Sequence, residues 1–83
     1  MSDGKPDMVA LMELVAKAIV ERPDEIEVEP FDENGQIVIE LVVAEDDVGR
    51  IIGRHGRTAR SLRTILHAAS LRTRKRYQLE IVE

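Results

Sequence analysis

Two glycines separated by two residues, Gly53 and Gly56, stand in a strongly basic part of the chain. Arg54 and His55 lie between them and Arg57 follows directly. Glycine takes backbone angles that other residues disfavour, and its missing side chain lets another backbone come close. A tight turn that leads into a helix also directs amide N–H groups outward, and these favour an anion. The spacing therefore predicts a clamp for a phosphate backbone, although a simple turn between two helices would also use two glycines.

The residues that usually carry catalysis are not arranged for it. The chain has no cysteine, which excludes disulfides and zinc–thiolate sites. His55 and His67 lie twelve positions apart, and neither Ser61 nor Ser70 belongs to a Gly-x-Ser-x-Gly motif. We therefore predict that the protein is not an enzyme, and we expect no cofactor and no metal.

Three consecutive carboxylates, Glu45, Asp46 and Asp47, form the one acidic run that resembles a metal cluster. Consecutive positions at the start of a helix diverge too far to chelate one ion together. Their negative charge suits the positive end of a helix. We therefore predict that they cap the helix that follows.

The net charge of −4 is divided unevenly along the chain. Residues 1–47 hold 14 acidic and 3 basic side chains, whereas residues 48–83 hold 9 basic and 2 acidic ones. The second part therefore offers a local site for a polyanion, while the first part discourages indiscriminate binding. Phe31 and Tyr77 are the only aromatic residues, too few for a base-stacking platform. A single-stranded ligand would have to be held through its backbone and by aliphatic contacts.

The elements around the glycine pair follow from the spacing of apolar residues. Apolar residues recur every three or four positions after Pro6-Asp7, which predicts a helix. A second such pattern runs from about Arg57 to Arg74. The predicted core faces of the two helices are, first, Met8, Leu11, Met12, Val15, Ala18 and Ile19, and second, Ala59, Leu62, Ile65, Leu66 and Ala69.

Alternating patterns predict three strands. Two of them, from Glu25 to Phe31 and from Gln36 to Val43, are joined by a turn at Asn34-Gly35, whose residues favour a hairpin. A third alternates from Tyr77 to Val82, and a short helix precedes Gly53. We predict a disordered lead over residues 1–7 and one domain over residues 8–83, with no targeting or membrane segment and a cytoplasmic location.

The run from Ile51 to Arg63, with its Ile-Ile-Gly-x-x-Gly core, resembles the signature of KH domains. The whole chain from about residue 8 is similar to the small single-domain KH proteins of the KhpA (YlqC-like) family. This resemblance implies an α+β, type II KH fold of αββααβ order, with three helices on one face of a three-stranded sheet. It also implies a bacterial, non-catalytic protein that binds single-stranded RNA, as an RNA chaperone or post-transcriptional regulator. Association with itself, or with a larger multidomain KH protein of the KhpB (Jag) type, is implied too.

The resemblance assigns Gly53 and Gly56 to the loop that admits the RNA backbone, and Ile51 and Ile52 to the aliphatic side of a base groove. Ala59 departs from the general KH pattern, in which a larger aliphatic residue is usual. Positive charge for the backbone would come from Arg54, His55, Arg57 and Arg60, with Arg50 and Arg63 in support. Two alternatives remain open: a protein-interaction module with a vestigial loop, and a ribosome-assembly factor that uses the same surface on structured RNA.

An uncharged strip on the second long helix suggests a dimer interface. The strip lies apart from both the core face and the arginines, and its small side chains would let two helices approach closely. A twofold axis would pair the strip with its copy or with a similar helix of a partner. An ordinary surface strip or additional core contact would give the same pattern. Its members are Ser61, Thr64, Ala68 and Leu71.

Overall fold

The computed structural model describes residues 8–83, so the predicted disordered lead over residues 1–7 lies outside the described residues. Three helices and three strands follow one another in the predicted order, helix-strand-strand-helix-helix-strand. Their bounds are α1 Met8–Ile19, β1 Glu27–Glu33, β2 Gln36–Val42, α2 Val48–Ile52, α3 Arg57–Thr73 and β3 Arg76–Ile81.

The hairpin between β1 and β2 forms where it was predicted. Asn34 and Gly35 have φ of 52° and 84°, the positive angles that a two-residue hairpin turn requires. Glu33 and Gln36 close the ladder beside the turn. Pro30 lies in β1, an edge strand, where its missing N–H is tolerated.

The sheet has the order β1-β2-β3, with β1 antiparallel and β3 parallel to β2. Helices α2 and α3 form the crossover that brings β3 beside β2. One face of the sheet packs against side chains from all three helices, and together they form the core. The α+β fold of type II KH order is therefore confirmed. The fully buried side chains of this core include Met12, Ile39, Leu41, Ile51 and Leu66.

Two positions in the predicted core faces of the helices are wrong. In α1 the third buried residue is Ala16, since Met8, Met12 and Ala16 follow one another at four-residue spacing; Ala18 is exposed. In α3 the side chain of Ile65 is 40% exposed, because the helix meets the sheet along Leu62 and Leu66 instead.

Within residues 8–83, no helix packs on the other face of the sheet, and this face is acidic. Glu29 of β1 pairs with Glu40 of β2, and Glu40 pairs with Glu80 of β3, so three carboxylates lie in one row across the strands. Directly opposed like charges destabilise a sheet. The row also gives this face a negative potential, which disfavours a polyanion there.

Candidate nucleic-acid interface

Gly53 ends α2 in a conformation that only glycine adopts readily. Its φ of 78° and ψ of 170° lie in a region closed to residues with a side chain. A Cβ at this position would also stand 2.8 Å from the backbone nitrogen of Thr58, in the first turn of α3. Gly53 therefore determines how closely the loop folds against the start of α3.

His55 and Gly56 lie in the left-handed region. His55 has φ of 58° and ψ of 25°, and Gly56 has φ of 72° and ψ of 14°. Unlike Gly53, Gly56 has no atom within 4 Å of the position that its Cβ would occupy. The missing side chain of Gly56 therefore leaves open space in front of the loop, where another molecule can approach.

The first turn of α3 points its amide groups toward this loop. Gly56 is the N-cap residue, and no side chain forms a capping hydrogen bond there. The positive end of a 17-residue helix thus meets the space beside Gly56. Because Arg54 and Arg57 are exposed at the same place, on either side of the exposed His55, the loop concentrates positive charge from both side chains and backbone.

Most of the basic side chains in the second part of the chain lack an acidic partner among residues 8–83. Within residues 8–83, only one of the nine, Arg50, has a carboxylate oxygen within 4.0 Å. Lys17 and Arg22 in the first part are both paired. A set of unpaired cations at the surface is free to meet phosphates. The unpaired members are Arg54, Arg57, Arg60, Arg63, Arg72, Arg74, Lys75 and Arg76.

Arg50 was predicted to support phosphate binding, but the structure directs it toward the end of α1. Its guanidinium contacts the carboxylate of Glu21 and lies 3.5 Å from Oδ1 of Asp47. It therefore belongs to a structural contact between the segment that follows α1 and the start of α2, and its charge is largely compensated.

Asp47 differs from its predicted role as a helix cap. No side chain caps α2. Instead, both carboxylate oxygens of the buried Asp47 accept hydrogen bonds, one from the backbone N–H of Glu21 and one from that of Arg22. A bond between residues 25 or 26 positions apart leaves no signal in local spacing, so the sequence pattern could not reveal it.

The two isoleucines before the loop have different environments. Ile51 is fully buried in the core, so its side chain supports the loop from below and does not line a surface as was predicted. Ile52 is half-buried and lies in a groove beside the loop. The residues that line this groove are Ile52, Gly56, Ala59, Arg60, Arg63, Ile81 and Glu83.

The structure thus brings together the loop, Ile52, Arg60 and Arg63, and it adds a wall that the sequence pattern missed. Ile81 of β3 lines the groove together with residues of α3. The two-residue spacing of Leu79 and Ile81 indicated that both lie on the same face of the sheet. Only the parallel pairing of β3 with β2 places it beside α3, however. Ala59 is buried, and as a small residue it keeps the groove floor low.

The uncharged strip of α3 faces solvent. Ser61, Thr64 and Ala68 are exposed, and the Leu71 side chain is 73% exposed. The alternative that these residues add core contact is therefore excluded, and the strip is accessible to a partner.

Comparison with known proteins identifies the family. A model of the "KhpA/KhpB, KH domain" family matches residues 9–81, which is nearly the whole chain. The chain belongs to the KhpA/KhpB KH-domain family. The resemblance inferred from the Gly-x-x-Gly run is thereby confirmed.

Curated KhpA proteins from distant bacteria align with this KH domain over most of their length. The RNA-binding protein KhpA of Halalkalibacterium halodurans is 40% identical over 76 residues, covering 92% of this chain and 100% of that protein. Those of Caldanaerobacter subterraneus and Treponema pallidum are 43% and 44% identical, covering 90% and 88% of this chain and 100% and 91% of the relatives. Among the residues described, no helix has the length and apolar character needed to cross a membrane.

Proposed function

We propose that this KH domain binds single-stranded RNA by holding its sugar–phosphate backbone at the loop between Gly53 and Gly56. The observation that carries the proposal is the space in front of Gly56, which is bordered by unpaired cations and by the start of α3, where no side chain forms a capping hydrogen bond. Its relatives named RNA-binding protein KhpA support RNA as the polyanion.

Each part of the interface has a distinct task. Gly53 shapes the loop, and Gly56 leaves room for the backbone. Arg54, His55 and Arg57 face phosphate oxygens, because they surround that space without acidic partners. About four nucleotides are held at such a loop in KH domains.

The bases rest in the adjoining groove, where Ile52 and Ile81 provide aliphatic contacts and Arg60 and Arg63 border the sides. This groove has no aromatic ring on which a base could stack. Backbone contacts carry no sequence information by themselves, so binding is relaxed in sequence. Such binding suits an RNA chaperone or post-transcriptional regulator in the cytoplasm, and it requires no catalysis.

A second proposal concerns association. The exposed strip of α3 docks a second copy of the chain, or the KH domain of a larger KhpB-type protein. The small residues of the strip allow close helix approach, and the highly exposed Leu71 supplies an apolar anchor. The family description, which names KhpA and KhpB together, favours a relationship of this kind.

The test of RNA binding is a fluorescence titration with labelled oligouridine. R54D/H55D places two carboxylates against the phosphates, and we expect most binding to be lost while circular dichroism stays unchanged. The matched control is R72D/A18E, which changes the charge equally at exposed positions away from the loop. Equal affinity of R54D/H55D and wild type would overturn the clamp, and so would equal losses in both variants.

A further inference from the structure

The groove beside the loop is the first of three depressions lined by residues of α3 and β3. It shares Arg63 with a second depression, which is also lined by Leu66 and Leu79. That depression shares Tyr77 and Gln78 with a third one, near the start of β3. Because each depression shares lining residues with the next, the three are neighbours along α3 and β3, and we call them together the seam groove.

The far end of the seam groove is strongly basic. Arg74, Lys75 and Arg76 all line it, and all three are exposed. None of the three has a carboxylate partner among residues 8–83. This end cluster is therefore a second set of free cations, separate from the one at the glycine loop.

The backbone at this cluster is unusual. Arg74 ends α3 with φ of 62° and ψ of 20°, a left-handed conformation that glycine usually supplies at this position. Apart from Asn34 in the hairpin turn, the only other non-glycine residue with positive φ in residues 8–83 is His55, at the opposite end of α3. Each end of α3 thus keeps a basic residue where glycine would be easier to accommodate. Unfavourable backbone conformations of this kind concentrate at functional sites.

The two cationic sites are too far apart for one short RNA. The 17 residues of α3 separate them, a length of about 25 Å at ~1.5 Å per residue. A KH loop holds only about four nucleotides. An RNA that meets both sites must therefore be longer than the segment held at the loop.

We propose that single-stranded RNA leaving the loop follows the seam groove and places further phosphates at Arg74, Lys75 and Arg76. Tyr77 lies in the groove beside this cluster, and with His67 it offers an aromatic ring along the path. The inference rests on the proposed function and extends it, because it makes affinity depend on RNA length. The acidic row on the open sheet face disfavours an alternative path across the strands.

The test compares labelled oligouridines of four and twelve nucleotides. R74N/K75Q removes two cations, and asparagine tolerates the left-handed conformation at residue 74. We expect unchanged binding of the 4-mer. For the 12-mer the salt slope should be shallower by about 1.4, at ~0.7 per phosphate of a single strand. If variant and wild type bind the 12-mer equally at 1 M salt, this difference in slope corresponds to about 25-fold weaker binding of the variant at 0.1 M.

The matched control is R72Q/K17Q, which removes the same charge. Arg72 lies in the last turn of α3, as close to the helix end as Arg74, but it lines no part of the seam groove. Thermal unfolding should show both variants folded, and the control should bind the 12-mer like wild type.

Three outcomes would overturn the inference. R74N/K75Q and wild type could bind the 12-mer equally, or R72Q/K17Q could lose as much affinity as the test variant. If R74N/K75Q weakened the 4-mer as strongly as the 12-mer, the cluster would belong to the loop site. Failure of the proposed function is a separate result, in which wild type binds neither RNA.

Discussion

Arg22 donates its backbone N–H to Oδ2 of Asp47 at 3.0 Å, and so joins the end of α1 to the start of α2. Glu21 donates in the same way to Oδ1, also at 3.0 Å. Asp47 is 1% exposed, so water cannot replace these bonds. Since α2 leads directly into Gly53, this carboxylate anchors the segment from which the glycine loop extends.

Replacing Asp47 by Asn should lower the free energy of unfolding by about 1–3 kcal/mol. An amide has one acceptor oxygen, so one of the two partly buried N–H groups loses its partner. Urea unfolding measures the change. The neighbouring carboxylate of Asp46 is 79% exposed, and D46N should alter stability by less than about 0.5 kcal/mol. Equal effects of D47N and D46N would contradict the anchoring role.

The two loop glycines should respond differently to alanine. G53A introduces a forbidden backbone conformation and a contact with Thr58, so we expect a loss of about 3 kcal/mol or more in stability. G56A adds only left-handed strain of about 1–2 kcal/mol, because its Cβ enters open space. The folded G56A protein should still bind RNA more weakly, since its methyl group occupies the path of the backbone. Equal stabilities of the two variants, or full RNA affinity of G56A, would be inconsistent with this geometry.

The salt dependence of RNA binding measures how many phosphates are neutralised at the loop. With roughly three to five contacts on a short single strand, log affinity should fall with log salt at a slope of about −2 to −3.5. Titrations of oligouridine between low and high potassium chloride give the slope. A slope near zero would mean that the unpaired arginines do not meet the RNA backbone.

Ala68→Glu tests the association proposal. If the strip pairs with its copy across a twofold axis, this change brings like charges together near the axis, and the variant should be a folded monomer. Sedimentation at matched concentrations decides the outcome. Ala18→Glu on α1 is the control, because Ala18 is also an exposed helical alanine but lies outside the strip. A monomeric wild type, or an A68E variant that remains dimeric, would end the proposal for a second copy.

Local patterns in the sequence were sufficient for the elements and for the loop. The turn at Asn34-Gly35 and the Gly-x-x-Gly spacing depend on backbone preferences that individual residues carry with them, so they could be predicted. The burial of Ile51 and the exposure of Ile65 could not be predicted. The apolar face of a helix can be wider than the area that contacts the sheet, so the pattern alone does not show which residues at its edge are buried. The hydrogen bonds of Asp47 could not be predicted either, because they depend on the fold placing the N–H groups of Glu21 and Arg22 beside its carboxylate.

The row of Glu29, Glu40 and Glu80 gives the molecule an electric dipole that its net charge of −4 conceals. Another charged surface that the protein approaches would therefore orient this dipole before any contact forms. At neutral pH and low salt we expect retention on an anion-exchange resin through the sheet face, and also on a phosphocellulose or heparin matrix through the opposite side. The same protein would thus behave as an acid on one column and as a base on the other.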